Sequence, residues 1–205
     1  YTFSSEYQVY KPLATISAEN MNIVYSGLDN PIAIAVPGYP ASAVIATVSG
    51  GWRLSKSGNG KYTVKGNTKG GKITITASVK TESGTRVMGK QEYTVRKVPL
   101  PRIKYGSLDG SSPVSKARLL NESNLFASLG NFYFKGVSFR VTGYTAYINS
   151  KRKGTKIIKV NGSSTATLRG AIKELRSGDN VIVTQIKVSG PNGTATLAGL
   201  PLTIR

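Results

Sequence analysis

The chain has 205 residues, carries 28 Lys and Arg against nine Asp and Glu for a formal charge of +19, and contains neither cysteine nor histidine. Those absences exclude disulfides, thiolate-held zinc or iron–sulfur centres, and every Ser-His or Cys-His catalytic pair. Hydrophobic residues at 39% and charged residues at 18% describe a folded protein, and the length suits two domains of about 100 residues each.

The opening YTFSSEYQVY has no initiator methionine, no basic leader and no apolar core, so the sequence is expected to be an internal part of a longer protein. EYQVYKPL at 6–13 and EYTVRKVPL at 92–100 use the same device: a Glu-Tyr-x-Val strand, a basic residue, then proline and leucine. The pairing predicts that residues 1–13 are the last strand of a preceding, similar domain or a leading strand of this one. Residues 21–38, MNIVYSGLDNPIAIAVPG, hold a single charge, Asp29. The charge-free run at 30–52 has the length of a membrane span, but Pro31, Pro37, Pro40 and the pair Gly50-Gly51 forbid a continuous helix.

Period-two alternation follows: Ile32, Ile34 and Val36; Trp52 and Leu54; Tyr62 and Val64; then Ile73, Ile75, Ala77 and Val79 with Lys and Thr between. Turn signals at 38–40, 58–60, 70–71 and 83–84 separate these runs. Residues 14–98 therefore predict an immunoglobulin-like β-sandwich without its disulfide, with Trp52 between the sheets. Pro99 and Pro101 mark a short stiff connector.

Residues 99–205 read as an α+β domain, with strands at 125–129, 137–148, 156–160, 180–188 and 200–204 and one or two short helices. The clearer helix is expected over 164–179. There Leu168, Ala171, Ile172 and Leu175 share one face, Ser164 or Thr165 is in place to cap the start, and Gly178 stops the end. A second covers 115–122, and 189–193 (SGPNG) is a hairpin connection. The overall fold class is mainly β: a sandwich followed by an α+β domain.

Chemistry is hard to assemble. The carboxylates are scattered, SGNGKYT at 57–63 lacks the phosphate-loop spacing, and no catalytic, cofactor-binding or metal-binding residue is expected. Charge carries more information: residues 98–205 hold sixteen basic and four acidic residues, against twelve and five in 1–97. The one tight run, Lys151-Arg152-Lys153, is a solvated hairpin tip and the candidate contact with an acidic partner. Tyr144 and Tyr147 precede it, the nearest approach to the basic–aromatic interleaving of a nucleic-acid binder, though no common module motif is present. A surface adhesin or carbohydrate-binding module would instead need exposed aromatics on one face.

The ordered set of motifs resembles the periplasmic C-terminal region of the GldM/PorM family of Bacteroidota. The carriers are Phe3, Glu6, Tyr7, Val9 and Pro12; residues 21–38; YTVRKVPLPRIKYGSLDGSSPVSKARLL; and the stretch 172–193 with Lys173, Leu175, Gly178-Asp179, Ile186 and Gly190-Pro191. The basic excess and the loops at 149–155 and 194–199 depart from the pattern. The resemblance implies a non-enzymatic part of the type IX secretion and gliding machinery. It also implies a periplasmic shaft segment of a protein held in the inner membrane by a helix outside this sequence, where it meets a motor partner. Implied partners are a second copy in a homodimer and outer-membrane-associated ring proteins, among them a lipoprotein. No cofactor, small-molecule substrate or nucleic acid is implied.

Overall fold

The protein is described by a computed structural model that covers Ser4, residues 22–132, Phe134 and residues 136–205. The strand expected at 6–13 lies outside the described residues. Two compact units result, Tyr1–Lys97 and Val98–Arg205.

In the first unit β-branched residues at every second position make strands with one apolar face. These are β1 (Ile23–Tyr25), β2 (Asn30–Ala33), β3 (Val44–Val48), β4 (Arg53–Gly58), β5 (Lys61–Lys65), β6 (Lys72–Thr81) and β7 (Gly84–Arg96). They form two sheets, ordered β1-β7-β6-β3 and β2-β5-β4. β1 runs parallel to β7 and the other pairs are antiparallel, an immunoglobulin-like arrangement. Ile73, Ile75, Ala77 and Val79 of β6 face Tyr62 and Val64 of the other sheet within one buried cluster. Trp52 belongs to that cluster, as its place in the sequence predicts, and its Nε1 donates to Thr68 Oγ1 at 3.3 Å. Its indole ring lies so close to Gly66 that a Cβ there would stand 2.2 Å from Trp52 Cδ2. Space alone keeps this position glycine.

The segment 22–38 is organised by Asn30, which is 3% exposed. Its Oδ1 accepts from the Tyr25 amide at 2.7 Å, and its Nδ2 donates among the carbonyls of Tyr25 (2.9 Å), Leu28 (3.0 Å) and Val64 (3.1 Å). One side chain thereby closes the β1–β2 turn and ties it to β5. Only a neutral amide supplies donors and an acceptor in that order.

The second unit packs helices and a small ribbon on one sheet. The ribbon pairs β8 (Arg102–Tyr105) with β9 (Leu125–Ser128). The sheet is built from β10 (Arg140–Ser150), β11 (Gly154–Asn161), β12 (Asn180–Gly190), β13 (Gly193–Leu197) and β14 (Leu200–Thr203). Its order is β11-β10-β12, with β13 against the end of β12 and β14 against its start. The interruption at Ala198 and Gly199 coincides with Gln185, whose φ is 48°. There Thr145 Oγ1 donates to Gln185 Oε1 at 2.9 Å, a polar pair next to the core. β10 begins at Arg140 rather than at 137, and runs on to Ser150.

Helix α1 (Lys116–Asn121) is capped by Ser115, whose side chain accepts from the Arg118 amide. The helix expected over 164–179 is shorter. A 3₁₀ turn (Ala166–Leu168) leads into α2, Arg169–Lys173, after which the Glu174 and Leu175 amides reach back only three residues. Thr165 does not cap with its side chain; its hydroxyl donates to Glu122 O at 2.7 Å. Beyond that, the Gly178 amide is taken by Ile204 O and the Arg176 amide by Asp179, so tertiary acceptors replace the helical ones. The apolar face holds regardless, with Leu168, Ala171, Ile172 and Leu175 all buried. Among the described residues no helix is long and apolar enough to cross a membrane.

Two substitutions test the first unit. Asn30→Asp sets a carboxylate against three carbonyls and lowers unfolding stability by roughly 3 kcal/mol or more, read by urea denaturation. Gly66→Ala forces the Trp52 ring aside at a cost of about 1–3 kcal/mol and alters the tryptophan fluorescence of the folded state. Wild-type stability in either variant contradicts the packing described.

Candidate functional site

The β10–β11 hairpin carries Lys151, Arg152 and Lys153 at its tip, all exposed. What positions them is Asp179, which is 4% exposed. Its Oδ1 accepts from the Lys151 amide at 2.9 Å and its Oδ2 from the Arg176 amide at 2.8 Å. Asn149 Nδ2 adds a bond to Asn180 Oδ1 at 2.7 Å. The hairpin tip and the chain after α2 are thus fastened to one carboxylate. These two backbone amides, helped by the Ser150 side chain and the Lys151 ammonium, hold its pKa below the usual carboxylate range.

The three tip residues do not act alike. The Lys151 side chain folds back, and a Cβ added to Gly178 would lie 2.8 Å from its Nζ. Arg152 and Lys153 instead line an open groove of about 320 Å³, together with Lys116, Lys173, Glu174 and Arg176. Lys116 projects from the first turn of α1, and its Nζ donates to the carbonyls of Lys173 (3.1 Å) and Leu175 (3.2 Å). It satisfies carbonyls that the short α2 leaves open. Lys153 Nζ meets Glu174 Oε2 at 3.2 Å, both side chains more than half exposed. The side chains of Arg152, Lys173 and Arg176 make no hydrogen bond or ion pair with another described residue. Five cations and one carboxylate therefore share the groove, and three of the cations have unspent donors.

The run at 151–153 was visible in the sequence. Lys116, Lys173 and Arg176 do not group with it in the sequence, because 35 residues separate Lys116 from Lys151; α1–α2 packing and the Asp179 bonds bring them together. Tyr144 is 3% exposed and its hydroxyl donates to Ser164 O at 2.7 Å, so it is a core residue and offers no stacking face; Tyr147 is half-buried. A larger groove, about 560 Å³, lies beside β8 and the β13–β14 junction. It presents two cations, Arg102 and Lys104, and its one carboxylate, Asp109, is engaged by the Ser111 amide and hydroxyl. The smaller groove is the better electrostatic site. Among the described residues no three His, Cys, Asp or Glu side chains converge to hold a metal.

Residues 13–96 match the GldM third domain, and residues 98–204 match the GldM C-terminal domain. The chain belongs to the GldM family. The GldM family serves type IX secretion and gliding motility, within membrane motor assemblies, and its C-terminal region is periplasmic. No curated protein matches the chain. Among solved structures, a Bacteroides ovatus protein aligns with it, the mixed-linkage glucan utilization locus SGBP-B in complex with a mixed-linkage heptasaccharide. It is 13% identical over 88% of this chain and 51% of that one, with a TM-score of 0.26. The chain spans about half the length of that structure, and at this score the likeness carries no argument about fold or sugar binding.

Because the folded pKa of Asp179 is depressed, its stabilising effect is complete above the unfolded carboxylate range near pH 4 and is lost as pH falls through the folded value. Asp179→Asn turns an acceptor towards one amide into a donor. It is expected to lower the thermal midpoint at pH 7 and to flatten the acid limb of a midpoint-versus-pH series. An unchanged acid limb contradicts the pinning role.

Proposed function

We propose that this chain is a non-enzymatic, force-transmitting periplasmic segment of a gliding and type IX secretion motor protein, linking an inner-membrane motor to an outer-membrane-associated ring. The observation that carries the reading is the match of both halves, in order, to two named domains of one family. In this reading residues 14–98 are a stiff shaft module and residues 99–205 the partner-binding domain. The sandwich suits that task because both its sheets bury a face in one core, so bending either sheet breaks packed contacts. The second domain suits docking because its cations are held on a pinned hairpin and two packed helices rather than on a loose tail. Pairing of two copies in a homodimer doubles the docking surfaces presented to the ring and raises avidity. The motor partner is met by a membrane helix outside this sequence.

The test is a pull-down with the ring proteins, lipoprotein included, at physiological salt. The account expects the chain to retain them, and Arg152→Glu with Lys153→Glu to weaken retention at least tenfold, the scale of losing charged contacts worth about 1.4 kcal/mol or more. Absence of binding by the wild-type chain, or undiminished binding by the doubly reversed variant, counts against docking through this surface. Submicromolar binding of single-stranded DNA that persists at high salt would favour a nucleic-acid role instead.

A further inference from the structure

The groove between the hairpin tip and the end of α2 already holds one carboxylate, and that carboxylate shows what the site accepts. Glu174 sits among the cations and reaches only Lys153, at 3.2 Å, with both side chains more than half exposed. An exposed pair of this kind contributes little to stability and is readily exchanged. Beside it, the guanidinium groups of Arg152 and Arg176 and the ammonium of Lys173 face the same groove with no partner among the described residues. Guanidinium forks match the planar, two-oxygen face of a carboxylate. Lys116 is not available in the same way: its ammonium is committed to the carbonyls of Lys173 and Leu175 and acts as a brace for the groove wall. The backbone beneath Arg152 and Arg176 is fixed at Lys151 N and Arg176 N by Asp179. Little ordering of the main chain is then left to oppose binding.

We infer that this groove is a receptor for an acidic, extended segment of a partner protein, whose carboxylates bridge Arg152, Arg176 and Lys173 and displace Glu174 from Lys153. Glu174 is an internal competitor: it neutralises one cation while the groove is empty and repels an incoming anion until a segment with several carboxylates outbids it. The inference rests on the docking reading above and names the chemistry of that contact. A peptide segment is favoured over a flat anionic surface because the cations line a concavity rather than a face. A chain of spaced carboxylates follows a concavity, while phosphate headgroups in a plane do not.

The experiment titrates the whole chain into a fluorescent peptide of alternating Glu, Asp and Ser, with anisotropy as readout. Its comparisons are the Gln/Asn version of the peptide, inorganic phosphate as competitor, and vesicles of phosphatidylglycerol. The acidic peptide is expected to bind at least tenfold more tightly than its amide version. Glu174→Gln is expected to tighten binding two- to tenfold, the opposite of what loss of a contact would do. Arg152→Glu with Arg176→Glu is expected to weaken it at least tenfold, while Lys80→Glu with Lys90→Glu in the first unit leaves it within twofold. Circular dichroism melts of each variant separate unfolding from lost contacts. Equal binding of both peptides, no gain in Glu174→Gln, full competition by millimolar phosphate, or tighter binding to vesicles than to peptide each overturns the inference. Ring proteins still retained by a chain that ignores the acidic peptide would sink this inference alone; loss of both would sink the docking reading with it.

Discussion

One buried carboxylate sets the geometry on which the proposed docking surface depends. Asp179 follows the left-handed Gly178 and immediately precedes β12, where its own backbone is already spoken for: its amide bonds to Arg176 O, and its carbonyl accepts from Ile204. Its two oxygens are then free to take one amide from the hairpin and one from the chain leaving α2. Charge-assisted bonds of this type are shorter and stronger than neutral ones, and a carboxylate so buried has no better partners to turn to. Without it, the tip at 151–153 would lose its tie to the chain after α2, and the Arg176 amide its acceptor. With it, cations from distant parts of the sequence share one groove.

The first unit solves a different problem with the same economy of polar groups. Its core is aliphatic apart from Trp52 and two tyrosines, and buried polar side chains are few and fully used, as Asn30 illustrates. Among the described residues no buried side-chain nitrogen or oxygen lacks a partner. Evenly satisfied interiors make stiff bodies, whereas sites that do chemistry usually keep a polar group unspent or perturbed. The tyrosines with raised pKa values, Tyr93, Tyr105 and Tyr144, owe the shift first to burial and belong to cores.

Much of the fold is legible from alternation alone. Ile73, Ile75, Ala77 and Val79 announce β6 and its buried face, and the glycine pairs mark turns because left-handed backbone there admits little else, as at Gly50 and Gly51. The apolar face of α2 is equally plain, because burial of Leu168, Ile172 and Leu175 follows periodicity whatever the helix length. The length itself was not legible: the helix ends early because Asp179, Ile204 and Lys116 capture groups that local reasoning assigns to helical bonds. The candidate site was half legible for the same reason. Arg152 and Lys153 stand out as a run, whereas Lys116, Lys173 and Arg176 look like ordinary solvated residues until α1 and α2 meet. Lys151, which local charge density groups with its neighbours, folds its side chain back beside Gly178, a placement that no spacing rule anticipates.

The claim that a buried carboxylate preorganises this surface is tested most directly by amide hydrogen exchange at neutral pH, resolved at Lys151 and Arg176. Protection of both amides comparable to that of the β10 interior is the predicted result, despite their positions in an exposed tip and a post-helical loop. Exchange at the rate of an unstructured loop at either amide would mean that the cations are carried on mobile backbone, and the account of a preformed receptor would be wrong.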